Sequence, residues 1–427
     1  MKTTTVMVLI FCYSIGHALY VGWSYLPTEA DSLYYHLPLA KSFLAGEFVA
    51  AEYGDNAHMY FPAASEGLLA IQLALGIPVG YFNVFGILAL FGVSYQLGKI
   101  YKLEKNEALT FAATVGTLYG VVRWIHAQTV DIWLAVYYLA LIVLLQRPKN
   151  TWSYFLHIGI LVGFLVGSKY SGPLFALGLF VLFAPNFWQF LRKQVTVSGV
   201  PWLEAANNWL KIMTGILCAT VIGGFWYIRN YLVKGNPFFP LDTIFFNGIE
   251  GNAIIATPIW KAYLLYPKQM MDGAVSEFMV WPVVAVGVCG YMCLRWWKSS
   301  TPYPAKIVHT VTQKETSLHW QNSAILQLLA VYNFLVFLLL PSGDSMQLHI
   351  SQYRFAYIVI IPVILSFFII AKTHDLQRKL VPVLVLSNIL TVAPISYTPK
   401  VFILAIGIYF LIQIVISQNK ANKRKLF

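Results

Sequence analysis

Eleven residues near the start of the chain, Thr28-Glu29-Ala30-Asp31-Ser32-Leu33-Tyr34-Tyr35-His36-Leu37-Pro38, place two carboxylates and an imidazole among aromatic rings. A partly desolvated carboxylate such as Asp31 can take a proton from a hydroxyl or an amine. Taken alone, Asp31 could equally cap a helix over Ser32–Leu44, and His36 could simply hydrogen-bond a backbone carbonyl. Glu29, Tyr35 and His36 standing around Asp31 favour chemistry over capping.

Further along, other residues could join the same site. His58 and Glu66 flank Tyr60-Phe61-Pro62, where Glu66 could also cap a short helix and His58 could lie at the surface. Asp131 opens a helix in Thr129-Val130-Asp131-Ile132-Trp133, a first-turn position that the helix dipole favours and that could present a second carboxylate. Lys169 and Tyr170 sit in the turn Gly167-Ser168-Lys169-Tyr170-Ser171-Gly172, where a lysine suits a phosphate or snorkels to an interface. Arg229 and Asn230 precede Asn236-Pro237 and Pro240, and Arg suits phosphate by bidentate bonding. Arg354 starts a helix, where the dipole disfavours a cation, so an anionic partner is expected beside it.

These residues are set in a very apolar chain. Its 427 residues are 58% hydrophobic and only 11% charged, against about 25% charged in soluble domains. The mean hydropathy is +0.66. Such a chain cannot cover itself with a water-facing surface, so a polytopic membrane protein built from helices is expected. Spans of roughly 20 apolar residues fall near 5–25, 80–98, 108–124, 129–146, 153–168, 171–184, 208–228, 275–296, 322–341, 354–373, 380–396 and 399–417. That is about twelve, with 153–184 also legible as one long helix. Ala64–Ile77 is short and meets Pro78, which suits an interfacial helix. The first apolar stretch is longer than a signal-peptide core and lacks a clear cleavage site, so it is read as a retained helix.

With the N-terminus inside, cytoplasmic loops and tail collect most of the 29 Lys and Arg and few of the 17 Asp and Glu, the positive-inside pattern. The singled-out polar residues, with Arg123 and His126, then all fall on the outer side, in loops or at helix ends. One outward-facing site is the economical account. The net charge of +12 forms no basic stripe interleaved with aromatics, so nucleic acid is not an expected partner. Cys12, Cys218, Cys289 and Cys293 all lie in apolar segments and read as packing residues. No phosphate-binding glycine loop of a nucleotide enzyme is present.

The order of these motifs resembles the GT-C glycosyltransferases, especially the branch of protein O-mannosyltransferases and aminoarabinose lipid A transferases. The resemblance rests on Asp31 with Tyr35–Pro38, Tyr60–Glu66, Asp131, Gly167–Gly172 and Arg229–Pro240, and so covers mainly the chain up to about Pro240. It implies an all-α GT-C bundle, with residues 1–240 as the catalytic membrane module and 241–427 as a C-terminal membrane region. It implies a sugar carried on a polyprenyl phosphate as co-substrate, a lipid, glycan or protein as acceptor, and Asp31 as the base. Asp131 is the candidate second carboxylate; Glu29 and Asp31 flank Ala30 here, whereas the closest families often space their acids differently. Glu29, Tyr35, His36, His58, Glu66, Lys169, Tyr170, Arg229, Asn230 and Arg354 are the candidate substrate-binding residues. The resemblance admits a divalent metal ion without requiring one. It places the protein in a bacterial inner membrane with the site facing the periplasm or exterior. A transporter of a lipid-linked glycan, binding at the same residues without reaction, is the alternative.

Overall fold

The computed structural model describes residues 3–47, 57–195, 202–243, 245–248, 257–300, 312–342, 351–373 and 376–392, with Ile412 and Ile416. These residues are almost entirely helical. The helices are α1 (Thr3–Gly22), α2 (Leu37–Leu44), α3 (Ala64–Ala74), α4 (Phe82–Ile100), α5 (Lys105–Gly116), α6 (Tyr119–Arg123), α7 (Asp131–Leu145) and α8 (Trp152–Ser168). They continue as α9 (Gly172–Val195), α10 (Trp202–Ala219), α11 (Phe225–Lys234), α12 (Ile259–Leu265), α13 (Pro267–Phe278), α14 (Trp281–Ser300), α15 (Thr312–Leu339), α16 (Tyr357–Thr373) and α17 (Gln377–Val392). One two-residue antiparallel pairing joins Thr257 to Ser342 and Pro258 to Pro341.

Four helical stretches are long and apolar enough to cross a membrane: Thr3–Gly22, Val79–Ile100, Glu204–Lys234 and Gln352–Thr373. A fifth results if α13 and α14, bent by 99° at their junction, count as one span. Asp131–Leu145, Trp152–Ser168, Gly172–Phe183 and Ala324–Leu339 are apolar but shorter. The expectation of about twelve spans is therefore met only in its coarser form, a bundle of apolar helices compatible with a membrane protein. The span expected at 399–417 lies outside the described residues except for Ile412 and Ile416.

Helix boundaries follow local chemistry. Thr151 caps α8, its hydroxyl accepting from the Tyr154 N–H at 3.2 Å. Glu104 and Glu107 form a reciprocal capping box on α5. The stretch 153–184 is two helices, because Lys169 adopts an extended backbone that ends α8 before α9 begins. The helix expected to start near 275 instead breaks at Met279, which has φ 55°, and restarts at Trp281 with Pro282 in its first turn.

Burial divides the helices into two kinds. On α10 and the π turn after it, Leu210, Met213, Ile216, Leu217 and Val221 are all exposed, an apolar face that calls for an apolar surrounding. By contrast α7 and α16 lie inside. Ile132, Ala135, Tyr138, Leu139, Leu141 and Ile142 of α7 are fully buried, as are Ile361, Ile364 and Leu365 of α16. Asn333 of α15 ties them together, accepting from the Tyr138 hydroxyl at 3.1 Å and donating to the Ile358 carbonyl at 3.0 Å. The two central helices thus begin at the same end of the molecule, and that end carries Asp131 and Arg354.

A second seam fixes α8. A Cβ on Gly159 would overlap the Gly215 carbonyl, and one on Gly167 would come within 2.9 Å of Gly223 Cα. Small residues here let the helix backbones touch, the usual device where helices associate without a hydrophobic drive from water. The seam sets the position of Ser168 and Lys169 at the end of α8.

Candidate functional site

The end of the bundle where α7 and α16 begin holds a cavity of about 580 Å³. Residues far apart in sequence meet on its wall: Glu29, Asp31, Tyr35, His36, His58, Glu66, Lys169, Tyr170 and Arg354. Leu174, Leu241, Leu339, Leu340 and Phe355 supply an apolar side.

Four charges form the centre. Arg354 donates through a terminal nitrogen to Asp31 Oδ2, and Lys169 donates to Asp131 Oδ1. Arg354 Nε also lies 3.3 Å from Asp131 Oδ2, close enough for charge attraction though not aligned as a hydrogen bond. Two acids and two bases therefore compensate one another in a mostly buried place, where an isolated charge would cost several kcal/mol. The Lys169 ammonium sits 3.3 Å above the Phe355 ring, and Arg354 stands near Trp124 and Phe355 at 5.5 and 5.3 Å, contacts in which the ring quadrupole adds to the cations' stabilisation.

The electrostatics are uneven. Burial alone would raise the Asp31 pKa, but the Arg354 charge and hydrogen bond, with Lys169, outweigh it and hold the carboxyl below its usual range. Burial dominates at Lys169, and Asp131 only partly offsets it, so the amine is pulled down to about 8. Burial likewise lowers His58 and raises the Tyr35 phenol.

His36 and Glu66 make a second pair. Nδ1 of His36 is 2.7 Å from Glu66 Oε1, and both side chains are 2% exposed. Glu66 is held in register by its neighbour Ser65, whose hydroxyl meets Tyr137 at 3.1 Å and Ser168 at 2.6 Å. Asp31 and His36 are held by a π turn, Ser32–His36, pinned by Ser32, whose hydroxyl accepts from the Gln128 N–H at 3.0 Å. Such turns interrupt α-helical regularity and recur at functional sites.

Several expectations are revised. Asp31 does not cap its helix; its backbone is already helical and its carboxylate turns to Arg354. Glu66 lies in the first turn of α3 but reaches His36 instead of a backbone N–H. His36 bonds a carboxylate, not a carbonyl. Lys169 is not an interfacial snorkel, because Asp131 holds it inward. Asp131 is 3% exposed and stands behind Lys169 and Arg354, not on the cavity wall.

Arg229 and Asn230 are the clearest corrections. Neither lines the cavity. Arg229 donates to the Tyr60 carbonyl at 2.8 Å and to Asn230 Oδ1 at 2.9 Å. Asn230 donates to the same carbonyl and to the Tyr170 hydroxyl, each at 2.8 Å. Together they clamp the Tyr60-Phe61-Pro62 segment against α11. Tyr170 lines the cavity, but its hydroxyl is spent on the Phe239 carbonyl.

The sequence reading missed Trp124, Ser168, Ser171, Gln352 and Phe355 on the wall. Each lies within two positions of a residue already singled out, which was the available signal. It also missed Glu277, buried against Arg123 at 3.1 Å; it lies inside an apolar run, where only its charge stood out.

A divalent metal fits poorly. Asp31 and Asp131, the acids best placed to ligate one, are each engaged by a cationic side chain. Among the described residues no cluster of three or more His, Cys, Asp or Glu could hold a metal ion.

Compared with known proteins, the chain matches no family model and no curated sequence.

Proposed function

We propose that this is a multi-pass membrane glycosyltransferase of GT-C type, acting on a sugar carried by a polyprenyl phosphate. The observation that carries the reading is the joining of Asp31, Asp131, Lys169 and Arg354 in one ion-pair cluster, with Asp31, Lys169 and Arg354 on the wall of a mainly apolar cavity. A lipid phosphate sugar has the matching parts: an anionic head, a polar sugar and an apolar tail.

The donor phosphate binds to Arg354 and Lys169, whose present partners are side-chain carboxylates that can yield. The tail follows Leu174, Leu339, Leu340 and Phe355. As the bond between the anomeric carbon and the phosphate oxygen breaks, negative charge gathers on the phosphate, where the two cations stabilise it. Asp31 Oδ1 makes no hydrogen bond to a described residue, so it is open to the acceptor's proton. The acceptor is a hydroxyl or amine on a lipid, glycan or protein. The distribution of basic residues supports a site on the outer, non-cytoplasmic face of the membrane.

The test uses the full chain in liposomes with neryl-phosphate-linked mannose, glucose and aminoarabinose. Release of neryl phosphate, lost in Asp31→Asn, supports the reading. Binding of these donors with no release from any of them, with movement across the bilayer instead, would replace the enzyme by a transporter.

A further inference from the structure

Asp31 presents a difficulty as a base. Its ion pair with Arg354 favours the carboxylate, and its carboxyl is held below the usual range. Once the lipid phosphate leaves and Arg354 pairs with Asp31 again, such a group cannot keep a proton. A turnover therefore needs a second group, near Asp31, on which the proton can rest.

His36 has the geometry for this. In an α-helix, residues five apart lie about 140° apart around the axis, given 3.6 residues per turn. The π turn over Ser32–His36 is wider, closed by the Leu37 N–H on the Ser32 carbonyl, and swings His36 toward the face that carries Asp31. Both residues line the cavity. The His36 Nδ1 is committed to Glu66, while Nε2 makes no hydrogen bond to a described residue. The second Glu66 oxygen is buried without a donor. Burying an unpaired carboxylate oxygen is costly, and a positive imidazolium beside it would repay that cost. The other groups around the imidazole are Tyr35, whose ring lies 4.0 Å from it, and His58, stacked on Tyr35 at 5.4 Å; no cation bonds it among the described residues.

Building on the glycosyl-transfer reading, we propose that His36, oriented by Glu66, is the proton sink of the reaction, relieving Asp31 of the proton taken from the acceptor. A lone pair of the acceptor oxygen or nitrogen forms the bond to the anomeric carbon. The bond from that carbon to the phosphate oxygen breaks, and its electron pair stays on the lipid phosphate. The proton leaves the acceptor for Asp31 and passes to His36 Nε2. The product is an imidazolium paired with the Glu66 carboxylate, which loses its proton to water before the next turnover. His36 acts through Asp31 and is thus a relay, not a group that touches the sugar.

The experiment compares wild type, His36→Ala and Glu66→Gln in liposomes with the neryl-phosphate sugars, using water or a total lipid extract as acceptor. Both variants should lose at least about 100-fold in kcat, the lower end of what proton transfer contributes, with donor KM unchanged. Added imidazole should restore at least a tenth of the lost turnover to His36→Ala and none to Glu66→Gln, which keeps its histidine. A structural role would not give that rescue. Near-normal turnover of His36→Ala, or a loss that imidazole does not repair, overturns the relay while leaving glycosyl transfer standing. A wild-type protein that releases neryl phosphate from none of the donors fails the glycosyl-transfer reading itself, and the relay with it.

Discussion

Two arginines separate two kinds of polar cluster in this molecule. Arg354 and Arg229 are both buried and both beside aromatic rings. Arg354 is answered by the side chains of Asp31 and Asp131 on a cavity wall. Arg229 is answered by the Tyr60 carbonyl and the Asn230 amide, away from the cavity. A backbone carbonyl is part of the fold and does not move aside, so Arg229 holds a loop. A carboxylate partner can be exchanged for another anion at little cost, so Arg354 can hold a ligand. What distinguishes a binding cation from a structural one is the kind of partner it has, not its burial.

The strongest way to break that contrast is at the carboxylate that answers Arg354. Asp31→Asn should lower neryl phosphate release by roughly 10²–10⁴-fold while the thermal unfolding temperature stays near wild type, since the Asp31 side chain is 34% exposed. Unimpaired release would move the base elsewhere and reduce Asp31 to a counter-ion.

The arginines themselves give the next largest effect. Arg354→Ala should cost about 1.5–3 kcal/mol of donor binding, the worth of a hydrogen bond to a charged group, read as a roughly ten- to hundredfold rise in the dissociation constant for neryl phosphate. Arg229→Ala should do the reverse: a clear drop in unfolding temperature with the donor constant unchanged in the protein that remains folded. Equal effects of the two substitutions on donor binding would erase the distinction.

The sequence carried one side of this contrast and not the other. Arg354 at a helix start was an electrostatic oddity that asked for an anion, and Asp31 supplies it. Arg229 looked equally good because the letters Arg-Asn beside aromatics say nothing about carbonyls more than a hundred residues away. The same limit applied to His36 and Glu66, each legible as a candidate, while their pairing across 30 residues was not. Helical content followed from hydropathy alone. The break at Met279 did not, because hydropathy reports that a segment is apolar and not which way it runs; Pro282 was the one local warning. Nor could spacing reveal the π turn, since five-residue periodicity is invisible in so short a segment.

The smallest effect is also the one with a sign that separates site from scaffold. Lys169 is pulled down to about 8, against an ordinary lysine value near 10.5. Between those values the unfolded chain holds the proton and the folded chain does not. By linkage, this group's contribution to stability therefore rises with pH across that window, as the cost of keeping a buried ammonium disappears. Donor binding runs the other way, because the phosphate needs the charged form. Above about pH 8, kcat/KM for the neryl-phosphate donor should fall toward a tenfold loss per unit while the fold does not weaken from this source. Lys169→Arg keeps its charge at every pH in the range, so its profile should stay flat up to pH 9.5 even if its absolute rate is lower. An alkaline limb that persists unchanged in Lys169→Arg would show that Lys169 is not the group being titrated. It would also leave Arg354 as the sole phosphate cation and place Lys169 with Arg229, among the residues that hold the structure.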